Sequence, residues 1–96
     1  MREDLLLKAS RMLKTLADPT RLRILVLLGE RELSVKALSE ALHMEQSATS
    51  HQLAVLKKER LITARRVGRQ TFYAPCDQHI YSVLRQVKEH VQEEDA

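Results

Sequence analysis

The sequence predicts a mainly α-helical fold carrying one β-hairpin, with about five helices and two strands. Three observations carry that prediction. Apolar residues recur at helical spacing over most of the chain. After Arg60 the period shortens, and two β-prone runs bracket Gly68. Finally, Phe72, Tyr73 and Tyr81 are the only aromatic residues, so Leu, Val, Ile and Ala must fill the core, which favours a helical bundle over a β-sandwich. At 96 residues the chain reads as a single domain, 1–96, whose one core is only marginally stabilising and which gains from oligomerisation.

The first helix is expected over Leu5–Ala17, with apolar residues at Leu5, Leu6, Ala9, Met12, Leu13 and Leu16. So apolar a terminal helix needs a partner surface, either the core or a second subunit. Asp18 can cap the next helix and Pro19 fits its first turn, where no N–H is needed. That helix is expected over Thr20–Leu28, burying Leu22, Leu25, Val26 and Leu28 and stopping at Gly29. A turn over Glu30–Leu33 leads to a third helix capped by Ser34, with Leu33 and Leu38 as a hydrophobic staple. It ends near Leu42, and His43-Met44-Glu45 connects it to the next helix.

That next stretch, Glu45–Arg60, is the one the rest of the chain is built to present. Thr49, Leu53 and Leu56 form an inward stripe, and the opposite face carries Ser47, Ser50, His51, Ala54 and Lys58. Short and polar side chains let a backbone approach closely while still hydrogen bonding, as a helix in a DNA major groove requires. The same pattern also describes an ordinary amphipathic surface helix, so the neighbouring elements decide. Two short helices joined by three or four residues make a helix-turn-helix. The hairpin after it, Leu61–Arg66 and Gln70–Ala74, carries Arg65, Arg66 and Arg69 at its tip. Together these make a winged helix-turn-helix, with one helix to read bases and a basic wing for phosphate or the minor groove.

Charge agrees with a polyanionic partner. The formal net charge is +3, but Lys57–Arg69 holds six Lys or Arg against one acid, Glu59. The lone Cys76 excludes an internal disulfide and fits a reducing compartment. Neither a membrane span nor a signal peptide is evident, and a cytoplasmic location is expected.

The wording LADPTRLRILVLL, LSEALHMEQSATSHQLAVLKKERLI and VGRQTFYA resembles the ArsR/SmtB family of metal-responsive repressors over nearly the whole chain. The resemblance implies a homodimeric winged-helix repressor that leaves its operator when a metal or other inducer binds. It also implies that Gln46, Ser47, Ser50 and His51 contact the major groove. Some members sense thiophilic metals through an ELCVCxLC segment. Here that segment reads Glu32-Leu33-Ser34-Val35-Lys36-Ala37-Leu38-Ser39, with no thiolate, so the likeness does not extend to such a site.

The last helix, expected over Asp77–Gln92, has an apolar stripe at Ile80, Val83, Leu84, Val87 and Val91 and donors at Asp77, His79, His90 and Glu93. His79 and His90 face nearly the same side but lie about 16 Å apart along the axis. One helix cannot bring both to one metal, whose ligands sit at about 2 Å. Two copies crossing antiparallel on a twofold axis can. His79 with His90 and Asp77 with Glu93 both imply a crossing centre near Leu84–Arg85, giving two equivalent sites per dimer shared between protomers. Two nitrogen and two oxygen donors suit tetrahedral zinc and accept cobalt. The spacing also resembles the family's C-terminal-helix zinc site. The plain alternative is that both histidines are surface residues and Asp77 is an N-cap.

The sequence thus predicts a repressor that binds double-stranded operator DNA without metal and is released by zinc at the dimer interface. Remaining alternatives are the same repressor with another inducer or none, and a structural zinc-binding dimer. No HExxH or Ser/His/Asp pattern occurs, and four protein ligands leave no open position for hydrolysis, so neither an enzyme nor a small-molecule substrate is expected.

Overall fold

A computed structural model describes residues 1–95. In chain order the elements are α1 (Glu3–Leu16), α2 (Pro19–Glu30), β1 (Leu33–Ser34), α3 (Val35–Leu42), α4 (Gln46–Lys58), β2 (Ile62–Val67), β3 (Gln70–Pro75) and α5 (Gln78–Asp95). The two expected caps are formed. The Asp18 carboxylate accepts from the Arg21 N–H at 3.0 Å, with Pro19 in the first turn, and Ser34 Oγ accepts from the Ala37 N–H at 3.1 Å.

Both helices of the helix-turn-helix end on a left-handed residue that is not glycine. At the end of α3, His43 has φ 55°, and the Met44 N–H donates to the Ser39 carbonyl at 3.0 Å. At the end of α4, Arg60 has φ 58°, and its N–H donates to the Lys57 carbonyl at 3.0 Å. The Leu61 N–H then reaches back to the Leu56 carbonyl, also at 3.0 Å. This is the Schellman arrangement, which satisfies carbonyls that the helix leaves open. The apolar contact that accompanies it is supplied by Leu56 and Leu61, both 0% exposed.

The core gathers Ile24, Leu25 and Leu28 from α2, Leu38 and Leu42 from α3, and Leu53 and Leu56 from α4. Leu16, Leu33, Leu61 and Ile62 close it. Each fully buried aliphatic side chain contributes roughly 1.5–3 kcal/mol of transfer free energy, so these residues fix how α4 is rotated. Val26 departs from expectation: it is 51% exposed, and Ile24 takes the buried position. Leu22 is only half-buried.

The sheet has three antiparallel strands in the order β1-β3-β2, not the two expected. The extra strand is the Leu33–Ser34 pair, read from sequence as turn and cap, which pairs with Tyr73 and Phe72. Two residues are too few to show strand alternation. In the hairpin, Arg66 pairs with Thr71 and Val67 with Gln70, and the turn places Gly68 at φ 61°.

Gly29 is not a helix stop. It lies inside α2, and the ring of Tyr81 from α5 occupies the space where a Cβ would be. The glycine is there for close approach between helices, not for a turn. α5 itself buries no residue completely. Ile80 and Leu84 pack against the core, while Val83, Val87 and Val91 are 45%, 53% and 47% exposed. On α1, Leu5, Leu6, Leu7 and Leu13 are likewise in water.

Two stability predictions follow from these contacts. Gly29→Ala forces Tyr81 off its seat and should cost about 1–3 kcal/mol, as overpacking does. Arg60→Gly should stabilise by up to about 1.5 kcal/mol. It relieves a left-handed penalty of roughly 1–2 kcal/mol against an entropic cost of glycine of roughly 0.5–1 kcal/mol. Urea unfolding of both variants measures the two signs.

Candidate functional site

The inward stripe of α4 is seated as its spacing requires: Thr49, Leu53 and Leu56 are 0%, 1% and 0% exposed. The Thr49 hydroxyl is satisfied within its own helix, donating to the Glu45 carbonyl at 3.1 Å. With three positions committed to the core, Gln46, Ser47, Ser50, His51, Ala54 and Lys58 are all left exposed. The Glu45 side chain makes no capping bond, so it leaves the first amides of α4 uncapped beside Gln46 and Ser47.

Two polar contacts that sequence reasoning missed hold this helix from behind. Arg21 Nε on α2 donates to Gln52 Oε1 at 2.9 Å, and Arg21 also reaches the Thr15 carbonyl at 3.5 Å. Arg11 on α1 pairs with Glu59 at 3.3 Å, at the far end of α4. Each joins residues far apart in the chain, and neither leaves a local signal.

The wing arginines are not equivalent. Arg65 sits within β2 opposite Phe72, not at the tip, and its guanidinium makes two hydrogen bonds to Glu32, at 3.2 and 3.0 Å. The Glu32 hydrogen bond, with its charge second, holds Arg65 above its ordinary pKa. Arg66 donates to the Gly68 carbonyl at 3.0 Å and braces the turn. Arg69 is exposed beside it.

The four metal-type donors lie at the two ends of the exposed α5. At the first end, Asp77 Oδ1 accepts the His79 N–H at 2.9 Å and lies 3.4 Å from His79 Nδ1. Asp77 therefore serves as a local cap and keeps the ring beside it. At the other end, His90 Nε2 is 3.6 Å from Glu94 Oε1, not from Glu93, which is exposed. The His79 and His90 side chains are 90% and 74% exposed. Among the described residues no three His, Cys, Asp or Glu side chains of one protomer are gathered tightly enough to hold a metal ion. That agrees with the helix length, which keeps His79 and His90 apart. The donors fit a site only if a second helix completes it, and their exposure leaves them open to one.

The segment corresponding to a thiolate site has other uses here. Ser34 caps α3 and Lys36 faces water. Cys76 follows β3 and is exposed, its N–H donating to the Leu61 carbonyl at 3.0 Å.

Residues 18–64 match the family described as bacterial regulatory protein, arsR family. The chain is 45% identical over 80 residues to the transcriptional repressor SmtB homolog of Synechocystis, covering 83% of this chain and 61% of that protein. It is 32% identical over 91 residues to the transcriptional repressor SmtB of Mycobacterium tuberculosis, covering 95% and 67% respectively. It therefore spans about three fifths to two thirds of the length of these relatives. Among solved structures, the homodimeric winged helix-turn-helix DNA-binding domain from Mycobacterium bovis superposes with a TM-score of 0.88 at 32% identity, covering 94% of this chain and 83% of that one. These proteins are transcriptional regulators, not enzymes. With the same elements in the same order and its outer α4 face clear, the chain belongs to the ArsR family of bacterial regulatory proteins.

Proposed function

We propose that the chain is a metal-sensing repressor. It binds operator DNA as a metal-free homodimer and leaves the operator when zinc is held between paired α5 helices. The observation that carries this reading is the makeup of α5. The helix packs inward only through its first turns, at Ile80, Tyr81 and Leu84, presents Val83, Val87 and Val91 to solvent, and carries Asp77 and His79 at one end and His90 and Glu93 at the other. A second α5, antiparallel across a twofold axis, covers the valines and brings His79 of one protomer to the level of His90 of its partner. Each of the two sites then has two imidazoles and two carboxylates, a donor set suited to zinc and open to cobalt.

In the DNA-bound state α4 supplies the base contacts through Gln46, Ser47, Ser50 and His51, with Lys58 beside them. The wing supplies phosphate contacts through Arg69 and Arg66, and through Arg65 once it shares or leaves Glu32. The two recognition helices of the dimer address half-sites about one DNA turn apart. Bound zinc supplies a crosslink between the α5 helices. Release requires that the crosslinked dimer hold its α4 helices at a separation that no longer matches the groove. By linkage, operator DNA then weakens zinc binding by the same factor.

Fluorescence anisotropy on the promoter duplex upstream of the protein's own gene, at fixed salt, tests this reading. Binding should be tight with chelator present and lost on zinc addition, and a His79→Ala/His90→Ala variant should keep it in both conditions. Binding indifferent to zinc in the unaltered protein would leave a repressor without this metal switch. On the same duplex, His51→Ala or Gln46→Ala should cost about 1–3 kcal/mol of discrimination between operator and scrambled sequence. Unchanged discrimination would remove those side chains from base reading.

A further inference from the structure

We infer that the groove between α1 and the C-terminal end of α4 is an additional phosphate-binding surface, extending DNA contact beyond the major-groove face of α4. This rests on the DNA reading above. The groove encloses about 410 Å³ and is lined by Lys8, Arg11, Met12, Lys58, Glu59 and Arg60. Four of the six are cations. The one carboxylate, Glu59, is turned inward with its side chain 16% exposed and is held by Arg11 at 3.3 Å. Lys8, Lys58 and Arg60 face no other acid across the groove.

The backbone supplies a second observation. Arg60 occupies a left-handed position, φ 58°, where glycine is the unstrained choice and any side chain costs stability. A long cation there, lining a groove with other cations, points to a use for its charge.

The placement also matches DNA. Ser47, His51, Ala54 and Lys58 follow one another along the outer face of α4. Positions 47 to 58 span about 16 Å of helix, so Lys58 closes the far end of the face that begins at Ser47, and Lys8 and Arg60 line the same groove as Lys58.

The test is the salt dependence of operator binding by the full chain, read by anisotropy for the unaltered protein, Lys8→Gln, Arg60→Gly and Arg60→Lys. Each lost phosphate contact should flatten the slope of log affinity against log salt by about 0.9 and weaken binding roughly tenfold near 0.1 M salt. Lys8→Gln and Arg60→Gly should each show this, and Arg60→Lys should retain the original slope. Arg60→Gly should meanwhile melt no lower than the unaltered protein, which separates lost contact from lost fold. Unaltered affinity and slope in both charge-removing variants would overturn the groove and leave the α4 reading standing. Weakened binding with an unaltered slope would also overturn it, since no ion contact would have been lost. An unaltered protein that binds no duplex would overturn the DNA reading, and the groove with it.

Discussion

Burial of Thr49, Leu53 and Leu56 sets the rotation of α4, and most of what the molecule presents depends on that rotation. Leu53 and Leu56 are held by α2, α3 and the start of β2, all of which contribute to the same aliphatic core. Removing either leucine side chain leaves a cavity, and such losses typically cost about 2–5 kcal/mol. Once three positions face inward, the outer face is free to be short and polar, because it has no part in holding the helix. The polar contacts from Arg21 to Gln52 and from Arg11 to Glu59 then fix the helix against α2 and α1 without using that face. Stability and recognition are thereby assigned to opposite sides of one helix.

A second division runs between the core and the terminal helices. α2, α3 and α4 satisfy one another within the protomer, whereas α1 leaves four leucines and α5 three valines in water. Small domains bury a limited share of their surface, and unpaired apolar stripes of this kind are stabilised by a second copy. The proposed pairing of α5 would join association to sensing, because the exposed valines lie between the donors at its two ends. Tyr81 adds a physical link inward. Seated on Gly29, it ties the first turns of α5 to α2, so a shift of α5 meets the body of the domain through a close contact.

Features set by neighbours in the chain were legible in the sequence. The caps at Asp18 and Ser34, the seated stripe of α4, the turn at Gly68 and the exposure of Ser47, Ser50 and His51 all follow from local spacing and side-chain chemistry. Features set by partners distant in the chain were not. Gly29 looks like a helix stop until Tyr81 is placed upon it. Leu33 and Ser34 become a strand only because β3 lies alongside, and Arg65 leaves the wing tip only because β1 brings Glu32 within reach. The left-handed turn at Arg60 has no local sign, since the glycine that normally marks it is missing. The metal donors are set at the two ends of α5 by spacing alone, with the His79 and His90 side chains exposed.

Cobalt binding to a mixed dimer tests most directly whether metal sites are shared between two α5 helices. One protomer carries His79→Ala and its partner His90→Ala. Sharing predicts that the two losses fall on the same site, leaving the other with both imidazoles intact. The mixed dimer should therefore bind one cobalt ion with a tetrahedral absorption spectrum, while neither variant paired with itself should do so. A mixed dimer with no tetrahedral site, or a site surviving in either single-variant dimer, would contradict the shared-helix arrangement.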